Sequence, residues 1–215
     1  MKFKAVLFDL DGTLLNTLTD LTISINHMLK EHGYPLRTER EIRSFLGNGA
    51  RNLVEKSLPA GCDEKTVDRC LKEYLAYYNL HANDNTAPYQ GILELIDELH
   101  RRGVKTAVLS NKGDVQVKAL AKQHFPQISF ALGEKEGLRR KPCTDGVDYA
   151  LKELGASYES TALMGDSEVD GQTAHNAGIA FLAAGWGFRD KEDLMKCKPD
   201  LFLDHPLDLL KNWEA

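Results

Sequence analysis

An apolar run ends in an acidic, glycine-containing turn at Lys4-Ala5-Val6-Leu7-Phe8-Asp9-Leu10-Asp11-Gly12-Thr13. Strands buried on both faces are short and continuously apolar, so residues 4–8 predict such a strand. Amphipathic stretches at helical spacing separate it from similar runs at 104–109, 128–132, 161–164 and 179–183. This alternation predicts an α/β fold, in which a Rossmann-like, doubly wound parallel sheet is covered by helices on both faces.

One long interval departs from the alternation and offers only helical patterns. The patterns fall at 18–29, 39–45, 50–58 and 63–80. The sequence therefore predicts a helical domain at 17–82, inserted into a Rossmann-like core made of 1–16 and 83–215. The polar stretch 81–85 and the pair Asn16-Thr17 are the expected hinges between the two parts.

Composition excludes several classes of protein. The 215 residues are 42% hydrophobic and 27% charged, with a net charge of -5 and no basic stripe, so nucleic-acid binding is not expected. The four cysteines form no Cys-x-x-Cys pair and are expected to be reduced thiols. No apolar run approaches the roughly 20 residues of a membrane span, and no signal peptide is visible. We therefore expect no membrane association and a cytoplasmic location.

Charged and polar residues cluster after the predicted strands and in one later loop. They are Asp9, Asp11, Ser110, Asn111, Lys141, Asp166 and Asp170. Ligands of such sheets bind beyond the carboxyl ends of the strands, so these side chains should converge at one edge. Closely packed carboxylates raise one another's pKa unless cations offset their charge. Hard oxygen donors favour Mg²⁺, so the sequence predicts a magnesium site beside an ammonium group.

The spacing of Asp9 and Asp11 allows two carboxylates to serve one centre. An ionised carboxylate can attack phosphorus to give an aspartyl-phosphate, and a second carboxylate can protonate the leaving alkoxide and later deprotonate water. Thr13 can offer its hydroxyl and backbone N–H to a phosphate oxygen. Ser110 and Asn111 are expected at a helix start, where donors face an anion and Asn111 can also cap the helix.

Two neighbouring charges have simpler interpretations. Lys112 is interpreted as a solvated lysine, so Lys141 is expected to supply the positive charge for the phosphoryl group. Glu168 is expected only to complement a helix N-terminus.

The residues at these strand ends resemble, in order, the four motifs of the haloacid dehalogenase superfamily. The matching segments are 9–14, 110–112, 141–142 and 165–170, and they span nearly the whole chain. The resemblance implies Asp9 as nucleophile, Asp11 as general acid and base, and Ser110 and Lys141 on the phosphoryl group. It also implies Mg²⁺ ligation by Asp9, by the backbone carbonyl of Asp11 and by Asp166, with Asp170 as a further metal-side carboxylate.

The helical insertion resembles the mobile cap that closes over small substrates in this superfamily. Residues 45–53 and 184–189 are also similar to the phosphoglycolate phosphatases, whereas Asn16 and Cys143-Thr144 depart from the common pattern. The glycines flanking Asn48 would let backbone amides approach a substrate carboxylate, with Arg51 nearby. Asn48, Gly49 and Arg51 are therefore candidate substrate contacts, although the turn could simply link two helices.

Several functions compete with a phosphatase. Asp11 and Asp166 argue against a dehalogenase, and neither Lys30 nor Lys56 is singled out as the cap lysine of a phosphonate hydrolase. A phosphomutase similar to beta-phosphoglucomutase would use the same core and stays open. A non-enzymatic phospho-acceptor signalling domain would need neither Asp11 nor the helical insertion, so both favour turnover.

The expected partner is a small phosphorylated metabolite, and the expected oligomeric state is a monomer or a homodimer. The expected reaction is Mg²⁺-dependent hydrolysis of a phosphomonoester, with 2-phosphoglycolate as the first candidate. Sugar phosphates, nucleoside monophosphates and pyrophosphate are the next candidate substrates.

Overall fold

A computed structural model describes residues 3–211 and residue 213. The strands are β1 (Ala5–Phe8), β2 (Leu15–Asn16), β3 (Ala87–Pro88), β4 (Lys105–Gly113), β5 (Phe130–Glu134), β6 (Thr161–Gly165), β7 (Ala180–Ala184) and β8 (Leu201–Leu203). The helices are α1 (Leu18–Glu31), α2 (Glu39–Phe45), α3 (Gly49–Ser57), α4 (Glu64–His81), α5 (Ile92–Arg101), α6 (Asp114–His124), α7 (Asp145–Leu154), α8 (Glu168–Ala177), α9 (Lys191–Lys196) and α10 (Asp208–Lys211). The chain divides into two compact units, residues 16–87 and the remainder.

The larger unit is built on a parallel sheet. Its described strands run in the order β5-β4-β1-β6-β7-β8, with β1 at the centre between β4 and β6. Successive strands are added on one side of β1 through β4 and β5, and on its other side through β6, β7 and β8. The strand order therefore changes direction at β1. Doubly wound sheets bind ligands at such a switch point. The predicted α/β, Rossmann-like fold class is confirmed.

Two apolar layers, one on each side of the sheet, bury both faces of its central strands. Alternate residues of β1 point to opposite sides: Val6 and Phe8 join one cluster, and Ala5 and Leu7 join the other. Helices α5 and α6 contribute to the first cluster, and α7, α8 and α9 contribute to the second. Burial of both faces fixes the strand ends, and therefore the residues that follow them.

The largest departures from the predicted strands occur at β4 and β8. The strand predicted at 104–109 continues as β4 through Gly113, with a register irregularity between Leu109 and Gly113. The apolar pattern stops at Leu109, so the polar end of β4 gave no strand signal. Strand β8 was not predicted because it has only three residues and lies at the edge of the sheet.

The smaller unit, residues 16–87, contains α1 to α4. Its core includes Leu21 and Ile25 from α1, Ile42 from α2, and Tyr74 from α4. Thr38 and Glu41 form a capping box at the start of α2, which satisfies backbone donors that a helix otherwise leaves without partners. Within the described residues, none of the helices is both long and apolar enough to cross a membrane.

A buried carboxylate ties both ends of the smaller unit together. Asp20 on α1 is 2% exposed, and it accepts hydrogen bonds from the backbone N–H of Asn85 at 3.0 Å and from the Thr86 hydroxyl at 2.7 Å. Asp20→Ala leaves the buried Thr86 hydroxyl and the part-buried Asn85 N–H without this acceptor and should lower the free energy of unfolding by about 1–3 kcal/mol. Thermal denaturation followed by circular dichroism measures the loss. Asp84→Ala, at an exposed side chain on the same segment, should change stability by less than about 0.5 kcal/mol. Equal melting temperatures for the Asp20 variant and the wild type would contradict this role.

Candidate active site

Asp9 directly follows central strand β1 and lies against a buried lysine. Its backbone N–H donates to the carbonyl of Met164 at 2.9 Å, which continues the sheet by one residue. The Lys141 ammonium lies 3.0 Å from Asp9 Oδ1, and the side chains of Asp9 and Lys141 are 12% and 3% exposed. Burial is the main cause that raises the pKa of Asp9 from 3.8 to about 6, and the Lys141 charge opposes that rise.

Lys141 joins Asp9 to a second buried carboxylate. Its Nζ donates to Asp170 Oδ1 at 2.6 Å. The other oxygen, Asp170 Oδ2, accepts from the hydroxyl and the backbone N–H of Ser167 in a capping box at the start of α8. Burial alone would lower the pKa of Lys141, but Asp170 and Asp9 raise it above its ordinary value. Lys141 therefore stays charged. One Asp170 oxygen is thus engaged by the Lys141 ammonium, which links Asp170 to Asp9.

Asp166 is held at the end of β6 by groups from two other segments. Thr13 Oγ1 donates to Asp166 Oδ1 at 3.0 Å, and the backbone N–H of Phe188 donates to Oδ2 at 2.7 Å. The prediction that Thr13 offers its hydroxyl and amide to phosphate differs from the structure. The hydroxyl is donated to Asp166, and the amide is directed to the carbonyl of Leu10 at 3.4 Å. Thr13 is wholly buried, so it orients a carboxylate instead of facing a ligand.

The three buried carboxylates are arranged so that they could hold a cation. One oxygen each from Asp9, Asp166 and Asp170 lies within 4.8 Å of the other two. Burial, followed by the charges of Asp9 and Asp170, raises the pKa of Asp166 to about 8. This is the electrostatic condition that a bound divalent cation relieves, and oxygen donors alone suit Mg²⁺. The residues present therefore fit the expected metal.

Lys112 is not the solvated lysine that the sequence indicated. Its side chain is 6% exposed, and its Nζ lies 2.9 Å from Asp11 Oδ1 and 3.1 Å from Oδ2. The interpretation was wrong because Asp11, 101 residues away in the chain, follows the neighbouring strand in the sheet. Asp11, the second acidic residue of the first motif, is thus held by Lys112 of the second motif.

Ser110 and Asn111 lie within β4 and do not cap the next helix. The N-cap of α6 is Gly113, which makes no side-chain capping bond. Both side chains are buried, and Asn111 Nδ2 donates to the backbone carbonyl of Lys141 at 3.0 Å. Asn111 therefore positions the Lys141 segment. The Ser110 hydroxyl accepts a hydrogen bond from the backbone N–H of Lys112 at 3.3 Å, so its hydrogen remains available to donate.

A family model described as haloacid dehalogenase-like hydrolase matches residues 6–184 of this chain. The chain belongs to that family. The hydrolase is 30% identical over 209 residues to a phosphoglycolate phosphatase of Pseudomonas syringae pv. syringae. The alignment covers 94% of this chain and 76% of the relative. It is 29% identical over 215 residues to pyrophosphatase PpaX of Bacillus cereus, with 98% of this chain and 96% of the relative covered.

A solved structure has the same architecture as this hydrolase. It comes from Lactobacillus delbrueckii subsp. bulgaricus and is provisionally named a phosphoglycolate phosphatase. The TM-score is 0.91 at 35% sequence identity, and the alignment covers 99% of this chain and 98% of the other. The fold is therefore shared over nearly all of the chain.

Contacts within the helical unit of the hydrolase engage one of the candidate substrate residues. Arg51 pairs with Asp68 at 2.6 Å, with Glu55 at 2.9 Å, and with Glu64. Glu55 lies one turn away on α3, and the other two acidic residues lie on the first turns of α4. The expectation that Arg51 is available for a substrate carboxylate is thus not supported by these contacts. Asn48 is the N-cap residue of α3, and Gly49 has a positive φ of 79°, so a turn between helices accounts for both.

The loop after β7 supplies functional contacts that the sequence did not predict. Trp186 Nε1 donates to the carbonyl of Thr13 at 2.9 Å, two residues before the Phe188 amide that binds Asp166. The sequence singles out this segment only through its resemblance to phosphatases. A backbone donor leaves no signature in residue type, so the contact to Asp166 was visible only in the fold.

Gly187 lets this loop approach the acidic cluster closely. A Cβ there would lie 2.3 Å from Asp166 Cβ and 2.4 Å from the Gly12 carbonyl oxygen. Gly187→Ala should therefore destabilise the hydrolase by about 1–3 kcal/mol through overpacking. Displacement of Asp166 should weaken Mg²⁺ binding by about 10–100-fold. Calorimetric titration with Mg²⁺, beside thermal melts in EDTA, separates the two effects. Wild-type Mg²⁺ affinity in a folded variant would contradict this account of the glycine.

Proposed function

We propose that this hydrolase is a Mg²⁺-dependent phosphatase that hydrolyses a small phosphomonoester through an aspartyl-phosphate on Asp9. The observation that carries the proposal is the buried contact of Asp9 with Lys141. Two further carboxylates lie beside it, beyond the carboxyl ends of the strands. This arrangement supports the roles of Asp9 as nucleophile and Lys141 as fixed positive charge, beside a metal-binding set. Asp9 and Asp166 would hold the ion.

The proposed reaction consists of two successive displacements at phosphorus. Asp9 attacks the phosphoryl group, and the bond to the leaving oxygen breaks as Asp11 gives that oxygen a proton. Asp11 then takes a proton from water, which attacks the aspartyl-phosphate and releases inorganic phosphate and free Asp9. Lys141 and the Ser110 hydroxyl stabilise charge on the phosphoryl oxygens. Mg²⁺, when bound, neutralises charge on Asp9 and the phosphoryl group.

The relatives guide the choice of substrate. We propose 2-phosphoglycolate first, because a curated phosphoglycolate phosphatase and a provisionally named one match most of this chain. Pyrophosphate is a second candidate, because PpaX aligns over nearly the full length of both proteins. The core geometry suits either substrate and also a phosphomutase, so the helical unit would make the selection. The cytoplasmic location and the monomer-or-homodimer state stay predictions from sequence.

A substrate panel tests the proposal. Phosphate release is measured with 2-phosphoglycolate, pyrophosphate, sugar phosphates and nucleoside monophosphates, each with Mg²⁺ and with EDTA. We expect Mg²⁺-dependent turnover and the highest kcat/KM for 2-phosphoglycolate. Transfer of the phosphoryl group to a sugar phosphate, without release of phosphate, would identify a mutase. A higher kcat/KM for another substrate would overturn the 2-phosphoglycolate assignment.

The pH dependence of metal binding gives an independent test. The carboxyl groups of Asp9 and Asp166, with pKa values raised to about 6 and about 8, hold protons that the unfolded chain has already released above pH 3.8. The stability of the metal-free protein should therefore fall as pH rises toward 8. Mg²⁺ must displace these protons, so the rise in melting temperature at a fixed Mg²⁺ concentration should grow between pH 5.5 and 8.5, roughly the range in which they titrate. Asp166→Asn should abolish most of this rise. A Mg²⁺ effect that is flat across the range would contradict the predicted linkage.

A further inference from the structure

We propose that Lys112 is a positioning residue that holds the Asp11 carboxylate in place for proton transfer. The inference rests on the proposed function and extends it to a residue outside the set expected from the sequence. Lys112 Nζ lies within hydrogen-bond distance of both Asp11 oxygens, at 2.9 and 3.1 Å. Lys112 acts through Asp11, and its own protons are not transferred.

Burial shows that this contact is more than a surface ion pair. The Lys112 side chain is 6% exposed and that of Asp11 is 19% exposed. Exposed pairs contribute little, because both chains lose entropy and water screens their charges. A buried ammonium, by contrast, is strongly unfavourable without a partner, so the pair depends on its geometry being kept. Asp11 is therefore restrained in a way that an exposed carboxylate is not.

The two residues come from elements of different rigidity. Lys112 lies in β4, four residues beyond Val108, where the pairing of this strand with β1 ends, and its side chain is 6% exposed. Asp11 lies in the turn that follows β1, next to Gly12, which has a positive φ of 87°. A side chain on a turn is less restrained by its backbone than one on a strand. Lys112 thus gives the turn carboxylate a fixed reference point on the sheet.

Proton transfer makes this restraint useful. A general acid must lie within hydrogen-bond reach of the leaving oxygen when the phosphorus–oxygen bond breaks. An Asp11 side chain released from Lys112 would sample other rotamers and be correctly placed for a smaller fraction of the time. Leaving groups that need a proton would suffer, whereas leaving groups that depart as stable anions would not.

Leaving-group dependence provides the test. Values of kcat/KM, which report steps up to departure of the leaving group, are compared for 2-phosphoglycolate and p-nitrophenyl phosphate. If the panel favours another alkyl phosphate, that substrate replaces 2-phosphoglycolate. Lys112→Met should lower kcat/KM for the alkyl phosphate by about 100-fold, and for p-nitrophenyl phosphate by less than about 3-fold, because general acid catalysis contributes only to the first. Asp11→Asn should show the same selectivity.

Two further variants separate positioning from a structural role. Lys112→Arg keeps a cation near Asp11 and should recover most of the lost activity toward the alkyl phosphate. The double variant Lys112→Met/Asp11→Asn should be no less active than Asp11→Asn alone, because both changes affect one function. Lys112→Gln replaces Lys112→Met if the latter does not fold.

Several results would overturn the inference. Equal losses on both substrates, or a rise in KM at unchanged kcat, would assign Lys112 to substrate phosphate binding. Full activity of Lys112→Met would remove any role. Failure of the proposed function is distinguishable, because the wild-type protein would then release no phosphate or Asp9→Asn would retain its activity.

Discussion

Asp9→Asn should lower kcat by at least about 10⁴-fold while the protein stays folded, because an amide cannot replace a carboxylate nucleophile. The substitution keeps the shape of a side chain that is 12% exposed at the end of the central strand. Lys141 keeps Asp170 as a partner in this variant, and burial disfavours the Asp9 charge and raises its pKa to about 6, so loss of stability should not accompany loss of activity. Steady-state phosphate release and thermal melts in EDTA measure the two properties separately.

The covalent step can be observed directly. Rapid quenching with substrate labelled in the phosphoryl group should trap label on wild-type protein in a form that hydroxylamine removes, as expected of an acyl phosphate. The Asp9→Asn protein should carry none. More than about 1% of wild-type kcat in this variant, far above the residual activity expected without the nucleophile, would refute Asp9 as the nucleophile.

Lys141→Met should reduce both activity and stability, because one ammonium group serves two buried carboxylates. It lies 3.0 Å from Asp9 Oδ1 and 2.6 Å from Asp170 Oδ1. Removing one partner of a buried pair costs about 3–5 kcal/mol in the free energy of unfolding. Loss of the charge facing the phosphoryl oxygens should lower kcat by about 100–1,000-fold. Urea denaturation and steady-state kinetics give the two quantities.

Protonation and a second substitution should relieve the defect in stability. Burial raises the pKa of Asp9 to about 6 and the Lys141 charge opposes that rise, so Asp9 in the variant can be neutralised at low pH, and the difference in stability from the wild type should be smaller at pH 5 than at pH 8. Lys141→Met/Asp170→Asn should recover part of the stability without the activity. Lys196→Met, which removes an exposed lysine, should change stability by less than about 0.5 kcal/mol. Equal effects of Lys141→Met and Lys196→Met would show that the buried pairs are energetically unimportant.

The fold class could be predicted from sequence because burial on both faces leaves a clear apolar pattern. Residues 5–8 and 162–164 are continuously apolar, and each run lies within an observed strand. The polar end of β4 and the short β8 could not be predicted in this way. In β4 the side chains of Ser110 and Asn111 are buried for polar contacts, which hydrophobic periodicity does not detect.

The candidate site was predictable where strand ends dictate position. Asp9, Lys141, Asp166 and Asp170 come together as expected from a parallel sheet. Pairings could not be predicted, because a lysine in a sequence does not reveal which carboxylate it meets after folding. Lys112 is the example, and Arg51 is the converse, a cation engaged by nearby acidic residues. The contribution of Phe188 is a backbone N–H, which any residue but proline would carry.

Strands β2 and β3 carry the chain out of the catalytic unit and back into it, and they form a ladder with each other. Neighbouring strands lie about 5 Å apart, so the points of departure and return are adjacent. A segment of almost any length can join two such points with little additional loop entropy. One contiguous block of codons could therefore be exchanged with the carboxylates at the strand ends left in place. The same junction is a natural position for building chimeric enzymes.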